Sequence, residues 1–342
     1  MKKKILAFIL TFALTFSFTA CNNNTAKTRE LKEVKIGFPS SGNGFPGGVH
    51  GVAIENGFFD EFLNPLGYKA VNEAFVGMAP AIHEALVGKA LDYVLYAGMS
   101  ADLSKANGVD HTLISVTMWV GSLWKLAVST SSNINTIADL KGKKIAYTRG
   151  TSSHIYLLKV LNDGGIQFSD IVPLNTTIPD GMVALATGSV DAAVVLSGHE
   201  KQLEKEGKVK VIHVQFNADK AVFYEPSVFI ARTDFHKENP DVTVAIQKAL
   251  LKSKDWMKED PMRYYNLLSR KSMLPIEVLL ETASLNIDAL VTLNLDEVYI
   301  DSLKEILQFL KDYELTKGNI DFESWIDPTV IERALKEYKS GK

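Results

Sequence analysis

The sequence has a single cysteine, and this scarcity rules out most thiol chemistry. Cys21 stands at the end of an apolar leader, so the rest of the 342-residue chain contains no thiol. Disulfide bonds, thiolate metal sites and cysteine nucleophiles are therefore excluded from the folded domain.

Motifs of several enzyme classes are also missing. The chain has no Gly-x-Ser-x-Gly elbow and no P-loop, and the glycines of "GNGFPGG" (42–48) lack the spacing of a dinucleotide-binding fingerprint. Five dispersed histidines show no metal-ligand spacing such as i, i+4 on one helix. They are His50, His83, His111, His213 and His236. We therefore predict no metal, no cofactor and no catalytic residues.

The chain also lacks a large excess of positive or negative charge. Lys and Arg total 37 against 40 Asp and Glu, and the formal net charge is -3 at pH 7. The lysines are scattered and often stand beside an acidic residue, so no basic stripe is available to bind nucleic acid. The composition, with 46% hydrophobic residues, is that of a globular protein, and the length suffices for two lobes.

The first 21 residues have the pattern of an export signal. "MKKK" is positively charged, the apolar run "ILAFILTFALTF" is short for a membrane span, and "FTAC" resembles a bacterial lipobox that ends at Cys21. We expect Cys21 to be lipidated and residues 22–33 to form a flexible tether. The predicted location is the cell membrane, with the anchored protein facing the extracellular or periplasmic side. A cysteine at the end of a discarded signal peptide is the alternative.

Alternating strand and helix patterns predict an α/β protein with mostly parallel sheets. The pattern occurs once before about residue 120 and begins again after it. The strand-like runs cover 33–40, 68–76, 91–98 and 111–120, then 143–149, 169–175 and 190–196. The helical runs cover 49–59, with a stop at Gly57, and 79–90, then the stretch that follows 150–154, and 180–189.

The two halves share an architecture, which indicates two lobes. "ALVGKALDYVLYAGMS" (85–100) and "ALATGSVDAAVVLSGH" (184–199) are each predicted as a helix end, a glycine, an aspartate, an apolar strand and a polar loop. Ligands of open α/β sheets bind outside the carboxyl ends of the strands. Two facing lobes would therefore form a cleft lined by four such loops.

The rest of the chain is predicted to be mostly helical and to return to the first lobe. It has one strand-like run at 226–235, and its helices cannot form a sheet of their own. The chain should therefore cross between lobes near 119–124 and 216–226, which predicts one lobe from 34–120 with 223–342 and another from 121–222. The predicted helices cover 240–261, 275–285, 299–315 and 328–338.

The strongest candidate site is the predicted helix start "GTSSH", which comprises Gly150, Thr151, Ser152, Ser153 and His154. A helix start has unpaired N–H groups and partial positive charge, glycine allows close approach, and hydroxyls add donors, so the stretch suits an anion. The alternative is that Thr151 or Ser152 only caps the helix.

Three further loops and two crossings supply the other candidates. Their alternatives are a surface loop, ordinary turn chemistry and a packed lobe interface. Arg149 could pair with an anion or face the solvent. The loop candidates are Ser40, Ser41, Gly42 and Asn43, then Gly98 and Ser100, then Ser197, Gly198 and His199. The aromatic candidates at the crossings are Trp119, Trp124 and Tyr224.

With its lipidated start, this arrangement resembles the substrate-binding proteins of ABC transporters, in particular the aliphatic sulfonate, taurine and nitrate family. The resemblance implies a type II periplasmic-binding fold, a hinged cleft between lobes, delivery of a small organic anion to a membrane permease, and no catalysis. The chain differs from many relatives at "LSGHE" (196–200), which leaves the solute open. The similar segments are "VKIGF" (34–38), "ENGFFDE" (55–61), "ALVGKALDYVL" (85–95), "INTIADLKGKKIAYTRGTSSH" (134–154), "ALATGSVDAAVV" (184–195), "KDWMKEDP" (254–261) and "GNIDFESWIDPTVIERAL" (318–335).

Other functions stay open at this point. The same fold binds neutral heterocycles such as thiamine pyrimidine precursors, and a surface sensor could use the same cleft. A related enzyme makes the thiamine pyrimidine, but a lipid-anchored exported chain is poorly placed for that chemistry. We expect a monomer whose partners are a small-molecule ligand, ABC permease subunits and, through its anchor, the membrane.

Overall fold

A computed structural model describes residues 30–40, 44–76, 78–120, 124–214, 216–217, 220–221, 225–281 and 284–341. The predicted signal peptide, Cys21 and most of the predicted tether lie outside the described residues. The first strand begins at Lys32, so the end of the tether predicted at 22–33 belongs to the fold. None of the helices in these ranges is long and apolar enough to cross a membrane.

Strands and helices alternate along most of the chain. The strands are β1 Lys32–Pro39, β2 Tyr68–Phe75, β3 Tyr93–Ala97, β4 His111–Val120, β5 Trp124–Ser129, β6 Lys144–Tyr147, β7 Val172–Asn175, β8 Ala192–Leu196, β9 Val209–Val214, β10 Phe216–Asn217, β11 Lys220–Ala221, β12 Glu225–Arg232 and β13 Val291–Asn294. The helices are α1 Gly48–Asn56, α2 Phe58–Leu63, α3 Met78–Val87, α4 Gly98–Ala106, α5 Ser152–Asp163, α6 Ile178–Ala186, α7 Lys201–Lys205, α8 Thr233–Glu238, α9 Pro240–Glu259, α10 Pro261–Ser272, α11 Ile276–Leu280, α12 Ile287–Leu290, α13 Glu297–Asp312, α14 Phe322–Trp325 and α15 Pro328–Lys339.

The strands form two larger sheets, and the predicted two-lobed α/β fold is confirmed. The first sheet has the order β13-β4-β12-β3-β1-β2, and the second has the order β7-β6-β8-β5-β9. Strands β10 and β11 make a separate antiparallel pair. We call each large sheet, with the helices that pack on it, the first lobe and the second lobe.

The prediction of mostly parallel sheets is wrong, because each sheet contains a strand that arrives from the other lobe. Only β1 with β2 and β3, and β6 with β7 and β8, are parallel neighbours among the described strands. β12 enters the first sheet with Glu225 opposite Val120, at the end of β4, and runs against β4 and β3. β5 enters the second sheet with Trp124 opposite Leu196, at the end of β8. A strand that enters at the carboxyl ends of its neighbours has to run antiparallel to them.

The chain changes sheets at two places. β4 ends at Val120 and β5 begins at Trp124, while β9 ends at Val214 and β12 begins at Glu225. The lobe boundaries predicted at 120/121 and 222/223 fall in these two connections, and the residues next to them are partly outside the described ranges.

Helices cover both faces of the first sheet, since successive strand residues point to opposite sides. Ile36 of β1 packs in a core with Ile246 of α9, whereas Val94 of β3 packs in a second core with Leu303 of α13. The carboxyl-terminal helices thus pack on the first lobe. Strand β13 and helix α10 have no counterpart among the predicted elements.

The second sheet is covered in the same way by fewer helices. Leu126 of β5 lies in a core with Leu157 of α5, and Ala127, the next residue, lies in another core with Leu185 of α6. These two faces place α5 and α6 on opposite sides of the sheet, with the start of α5 at the carboxyl end of β6.

Candidate functional site

Helices follow five of the six parallel strands, at the edge of each sheet where the carboxyl ends of those strands lie. α1 follows β1, α3 follows β2, α4 follows β3, α5 follows β6 and α6 follows β7, while β8 is followed by the turn 197–200. Each helix start has backbone N–H groups without helical partners and a partial positive charge. An anion at this edge would therefore meet favourable dipoles from both lobes.

Helices α4 and α5 face each other across the lobes. Ile155 of α5 is 1% exposed and belongs to the core that contains Met99 of α4. An added Cβ on Gly150 would lie 3.9 Å from Leu103 Cδ2 of α4. The predicted anion stretch at 150–154 is therefore in contact with the first lobe.

Gly98 and Ser100 were predicted in a strand-end loop, and this placement is wrong. Both lie in the first turn of α4, because Ala97 ends β3 and serves directly as the N-cap in an extended conformation. A Cβ on Gly98 would lie 2.6 Å from Leu303 Cδ2, so this glycine permits close helix packing. Ser100 is 3% exposed, and its backbone hydrogen-bonds the half-buried His83. Both residues therefore face the interior of the first lobe.

The loop after β1 is described only at its ends. Ser40 is buried, its N–H donates to the carbonyl of Phe75, and its Oγ accepts from the N–H of Gly44 at 3.1 Å. Ser40 therefore anchors the loop to the sheet. Four candidates lie outside the described residues: Ser41, Gly42, Asn43 and Tyr224. A fifth, Trp119, is described by its backbone alone, which lies in β4 opposite Pro226.

Of the three hydroxyl groups at the start of α5, two make hydrogen bonds within the described part of the protein and one does not. Thr151 Oγ1 donates to the carbonyl of Thr148 at 2.7 Å, and Ser153 Oγ accepts from the N–H of Thr148 at 3.1 Å. Thr151 Oγ1 and Ser153 Oγ also lie 2.9 Å apart. Within the described residues, the Ser152 hydroxyl makes no hydrogen bond. Of the three, it is the hydroxyl available to a ligand.

Thr151 occupies the N-cap position of α5, but its side chain does not accept a hydrogen bond from the N–H groups of the first turn. Its backbone is extended, with φ of -128° and ψ of 169°, and its side chain makes no capping hydrogen bond. The side chain is instead directed back to Thr148. The N–H of His154 donates to the carbonyl of Thr151 at 2.8 Å, so the N–H groups of Ser152 and Ser153 are the ones left for a ligand or for water.

His154 lies on the side of α5 that faces β6. It is 4% exposed, its ring centroid lies 4.8 Å from that of Tyr147 and 5.6 Å from that of Phe168, and its Nδ1 is buried without a partner. Burial, and secondly the charge of Arg149, lower the pKa of His154 from 6.5 to about 4. The imidazole is therefore neutral at pH 7.

A cavity of about 340 Å³ lies between the lobes beside the start of α5. The first-lobe wall is mostly apolar, and the second-lobe wall is polar. The first lobe contributes Pro80, Leu103, Asn107 and Leu315, and the second lobe contributes Arg149, Gly150, His154 and Asn175. The arrangement suits a ligand with a polar head and an apolar remainder.

The cavity settles the direction of Arg149, which the sequence left open. Its backbone N–H donates to Asn175 Oδ1 at 2.8 Å, and its Nε lies 3.4 Å from Tyr147 Oη. No carboxylate of the described residues pairs with it, so its positive charge is available to an anion.

The turn after β8 contains the last group of candidates. Ser197 is half-buried, and Gly198 has a φ of 94° and lies against Leu274 and Val278 of the first lobe. Burial lowers the pKa of His199, whose Nδ1 has no partner within the described residues. The turn therefore contacts the other lobe, but it does not line the cavity described above.

A buried ion pair beside this turn has no counterpart in the sequence analysis. Glu200 is fully buried, and its Oε1 lies 2.5 Å from Lys125 Nζ in β5. The one available signal was a lysine inside the apolar run "WKLAVS" (124–129). In the part of the chain that the structure describes, no group of three His, Cys, Asp or Glu side chains could hold a metal ion.

Comparisons with known proteins identify the relatives of this chain. The family model described as "NMT1/THI5 like" matches residues 88–263. A Bacillus subtilis (strain 168) protein, provisionally named an aliphatic sulfonates-binding protein, is 26% identical over 347 residues, which cover 100% of this chain and 99% of that protein.

Solved structures agree with the fold. The periplasmic sulfonate-binding protein SsuA of a provisional sulfonate ABC transporter from Methylobacillus flagellatus KT is 27% identical, with a TM-score of 0.71 over 91% of this chain and 96% of that one. The desulfurization enzyme DSZB has a TM-score of 0.69 at 14% identity, over 90% of this chain and 99% of the enzyme. The periplasmic-binding fold implied by the sequence is thus confirmed, and the fold by itself does not decide between binding and catalysis.

Proposed function

We propose that this chain, which belongs to the NMT1/THI5-like family, is the solute-binding component of an ABC importer and captures a small organic anion between its lobes. Relatives across the whole length are named for binding sulfonates. The observation that carries the proposal is the inter-lobe cavity, where Arg149 has no carboxylate partner among the described residues and stands beside an uncapped helix start.

The ligand class follows from the chemistry of the two walls. On the second lobe, the Arg149 guanidinium and the Asn175 amide line the cavity, and the Ser152 hydroxyl lies at the adjacent start of α5. These groups favour a sulfonate-like or carboxylate-like head group. On the first lobe, Pro80, Leu103 and Leu315 favour an apolar tail. A neutral heterocycle such as a thiamine pyrimidine precursor would leave the charge of Arg149 unpaired, so this alternative is less well supported.

We propose a binding role without catalysis. Nucleophilic catalysis needs a hydroxyl within hydrogen-bond reach of a base. Near the cavity, Thr151 and Ser153 bond to Thr148, and the buried Nδ1 of His154 has no partner among the described residues. These hydroxyls are therefore held in place and are not activated.

The remaining parts of the proposal concern the cell. We propose that lipidated Cys21 anchors a monomer on the outer face of the membrane, where a permease receives the ligand. We also propose lobe boundaries at 120/121 and 222/223, with the two connections acting as the hinge. Mass spectrometry of the membrane fraction would test the anchor, because lipidation adds a diacylglyceryl group to an amino-terminal Cys21.

A ligand screen tests the function. We expect ethanesulfonate and longer alkanesulfonates to raise the melting temperature, and at 100 times Kd the gain is about 2.7 kcal/mol, or roughly 5 °C or more. Arg149→Gln should weaken binding at least tenfold at an unchanged melting temperature without ligand. A matched control is Lys143→Gln, which removes a positive charge from the same lobe away from the cavity lining. No response to sulfonates, with a clear response to pyrimidines, would overturn the anion proposal.

A further inference from the structure

The turn after β8 and the connection between α10 and α11 bring the lobes together outside the cavity. Lys201 Nζ lies 2.9 Å from Glu281 Oε2, and of the ion pairs formed by two described residues this one alone joins the lobes. Beside it, an added Cβ on Gly198 would lie 3.2 Å from Val278 Cγ1 and 3.3 Å from Leu274 Cδ1. The contact thus combines one ion pair with a close approach at which an added Cβ would be tightly packed.

The second-lobe side of this contact is held firmly. Glu200 is fully buried and pairs with Lys125 of β5 at 2.5 Å, so the turn is fixed to the second sheet. Lys201, the next residue, extends to Glu281 of the other lobe. It also lies 3.6 Å from Glu204 of its own helix, which supplies an alternative partner when the lobes separate.

The first-lobe side of the contact is held by hydrogen bonds within its own segment. α10 ends at Ser272 and is followed by Met273, whose backbone is left-handed with φ of 59° and ψ of 16°. Ser269 Oγ then donates to the carbonyl of Leu274 at 2.7 Å, which holds the connection in place. Val278 of α11 is 6% exposed. The apolar surface that receives Gly198 is therefore part of the first lobe.

We propose that Gly198, Lys201, Val278 and Glu281 form a latch that stabilises the closed arrangement of the lobes. The latch goes beyond the proposed function, because it acts on the lobes whether or not a ligand is bound. The side chains of Lys201 and Glu281 are 28% and 49% exposed, so the pair shifts the equilibrium only modestly. An exposed ion pair of this kind changes an equilibrium by up to about fivefold. A closure of this strength can reopen when the ligand is delivered.

The test measures the lobe separation directly in the full chain. Spin labels are placed at Val183→Cys in the second lobe and Val298→Cys in the first lobe, with Cys21→Ser to remove the native thiol; both valines are exposed. Without ligand, Lys201→Glu and Glu281→Lys should each lower the closed fraction relative to the open fraction two- to fivefold. The double charge swap should restore it. Lys205→Glu, an exposed position in the same helix with no ion pair among the described residues, is the control.

A second pair of variants tests the glycine. Gly198→Ala should open the lobes further, but its positive φ also strains the turn. Val278→Ala removes the nearer of the two methyl contacts that the new Cβ would make, so the double variant should recover part of the closure if contact between lobes is the cause. Strain alone would leave the double variant as open as Gly198→Ala.

The outcomes separate the latch from ligand binding. Distance distributions that are unchanged in Lys201→Glu and Glu281→Lys, or a charge swap that restores nothing, would overturn the latch and leave the solute-binding proposal intact. The distances need no ligand, so a failure of ethanesulfonate to bind the wild type would count only against the proposed function. With bound ethanesulfonate, the latch variants should increase the dissociation rate two- to fivefold and change association little.

Discussion

Lys125 Nζ and Glu200 Oε1 lie 2.5 Å apart at the edge of the second sheet, with the glutamate side chain fully buried and the lysine side chain 12% exposed. A pair this deep is costly to break on one side, because the remaining charge stays buried without compensation. It fixes the turn 197–200, which contacts the first lobe, to β5.

This pair predicts a large loss of stability. Lys125→Met should lower the free energy of unfolding by about 3 kcal/mol, and Lys125→Met with Glu200→Gln should lose less, because no charge is then left buried. Urea denaturation followed by circular dichroism would measure both. Lys205→Met, an exposed lysine of α7, should change stability by less than about 0.5 kcal/mol. Equal losses in the single and double variants would contradict the prediction.

The hydroxyls at the start of α5 should separate into a binding and a structural role. Ser152→Ala is expected to weaken anion binding with little change in stability, since Ser152 makes no hydrogen bond within the described residues. Ser153→Ala should cost about 1 kcal/mol, because its Oγ bonds both the N–H and the carbonyl of Thr148. Calorimetric titration with ethanesulfonate and thermal unfolding would distinguish the two. The opposite pattern would show that Ser153 is the ligand contact.

Buried histidines should make the protein sensitive to mild acid. Burial is the first cause that lowers the pKa of His50, His83 and His154 from 6.5 to about 4. Between pH 6.5 and pH 4, these histidines therefore stay neutral in the folded protein but take up protons in the unfolded chain. Stability is fully present above pH 6.5 and is lost as pH falls towards 4, by up to about 1.4 kcal/mol per pH unit for each histidine.

Urea denaturation at pH 7, 6 and 5 would measure this slope before most carboxylates titrate. His50→Gln should reduce it by about one histidine's share, since its amide can still bond Asn72, which His50 Nε2 contacts at 2.9 Å. A stability that does not change between pH 7 and 5 would contradict the assignment.

Gly98 should tolerate no side chain. A Cβ there would lie 2.6 Å from Leu303 Cδ2 and 2.9 Å from the carbonyl oxygen of Pro226, and the backbone oxygen cannot move aside cheaply. Gly98→Ala should therefore cost about 1–3 kcal/mol of stability. Gly181→Ala in α6 is the matched control, because its nearest neighbour is a methyl group at 3.3 Å and alanine favours the helix. Equal stability of the two variants would contradict the packing argument.

Local patterns in the sequence were sufficient for much of the fold. Alternation predicted β1, β2, β3, β4, β6, β7 and β8, and Gly57 was correctly placed at the end of α1, where it adopts a left-handed conformation. Such signals depend on neighbours within a few residues, which the sequence contains directly. The start of α5 was predicted for the same reason.

Contacts between residues far apart in the chain could not be predicted from these local patterns. The placement of β12 between β3 and β4, the ion pair between Lys125 and Glu200, and the contact of Gly198 with Val278 each join segments that periodicity treats separately. The hydroxyls of 151–153 looked equivalent in sequence, yet only the folded loop shows that Thr148 engages two of them.

The sequence by itself thus determined the α/β class, the alternation of elements and the stretch 150–154 as the candidate anion site. Only the tertiary structure decided which groups in that stretch are free, which wall faces them and where the lobes touch. The physical reason is that secondary structure follows from local backbone and side-chain preferences. A binding site instead depends on which groups folding brings together, how deeply they are buried, and which of them hydrogen-bond to one another.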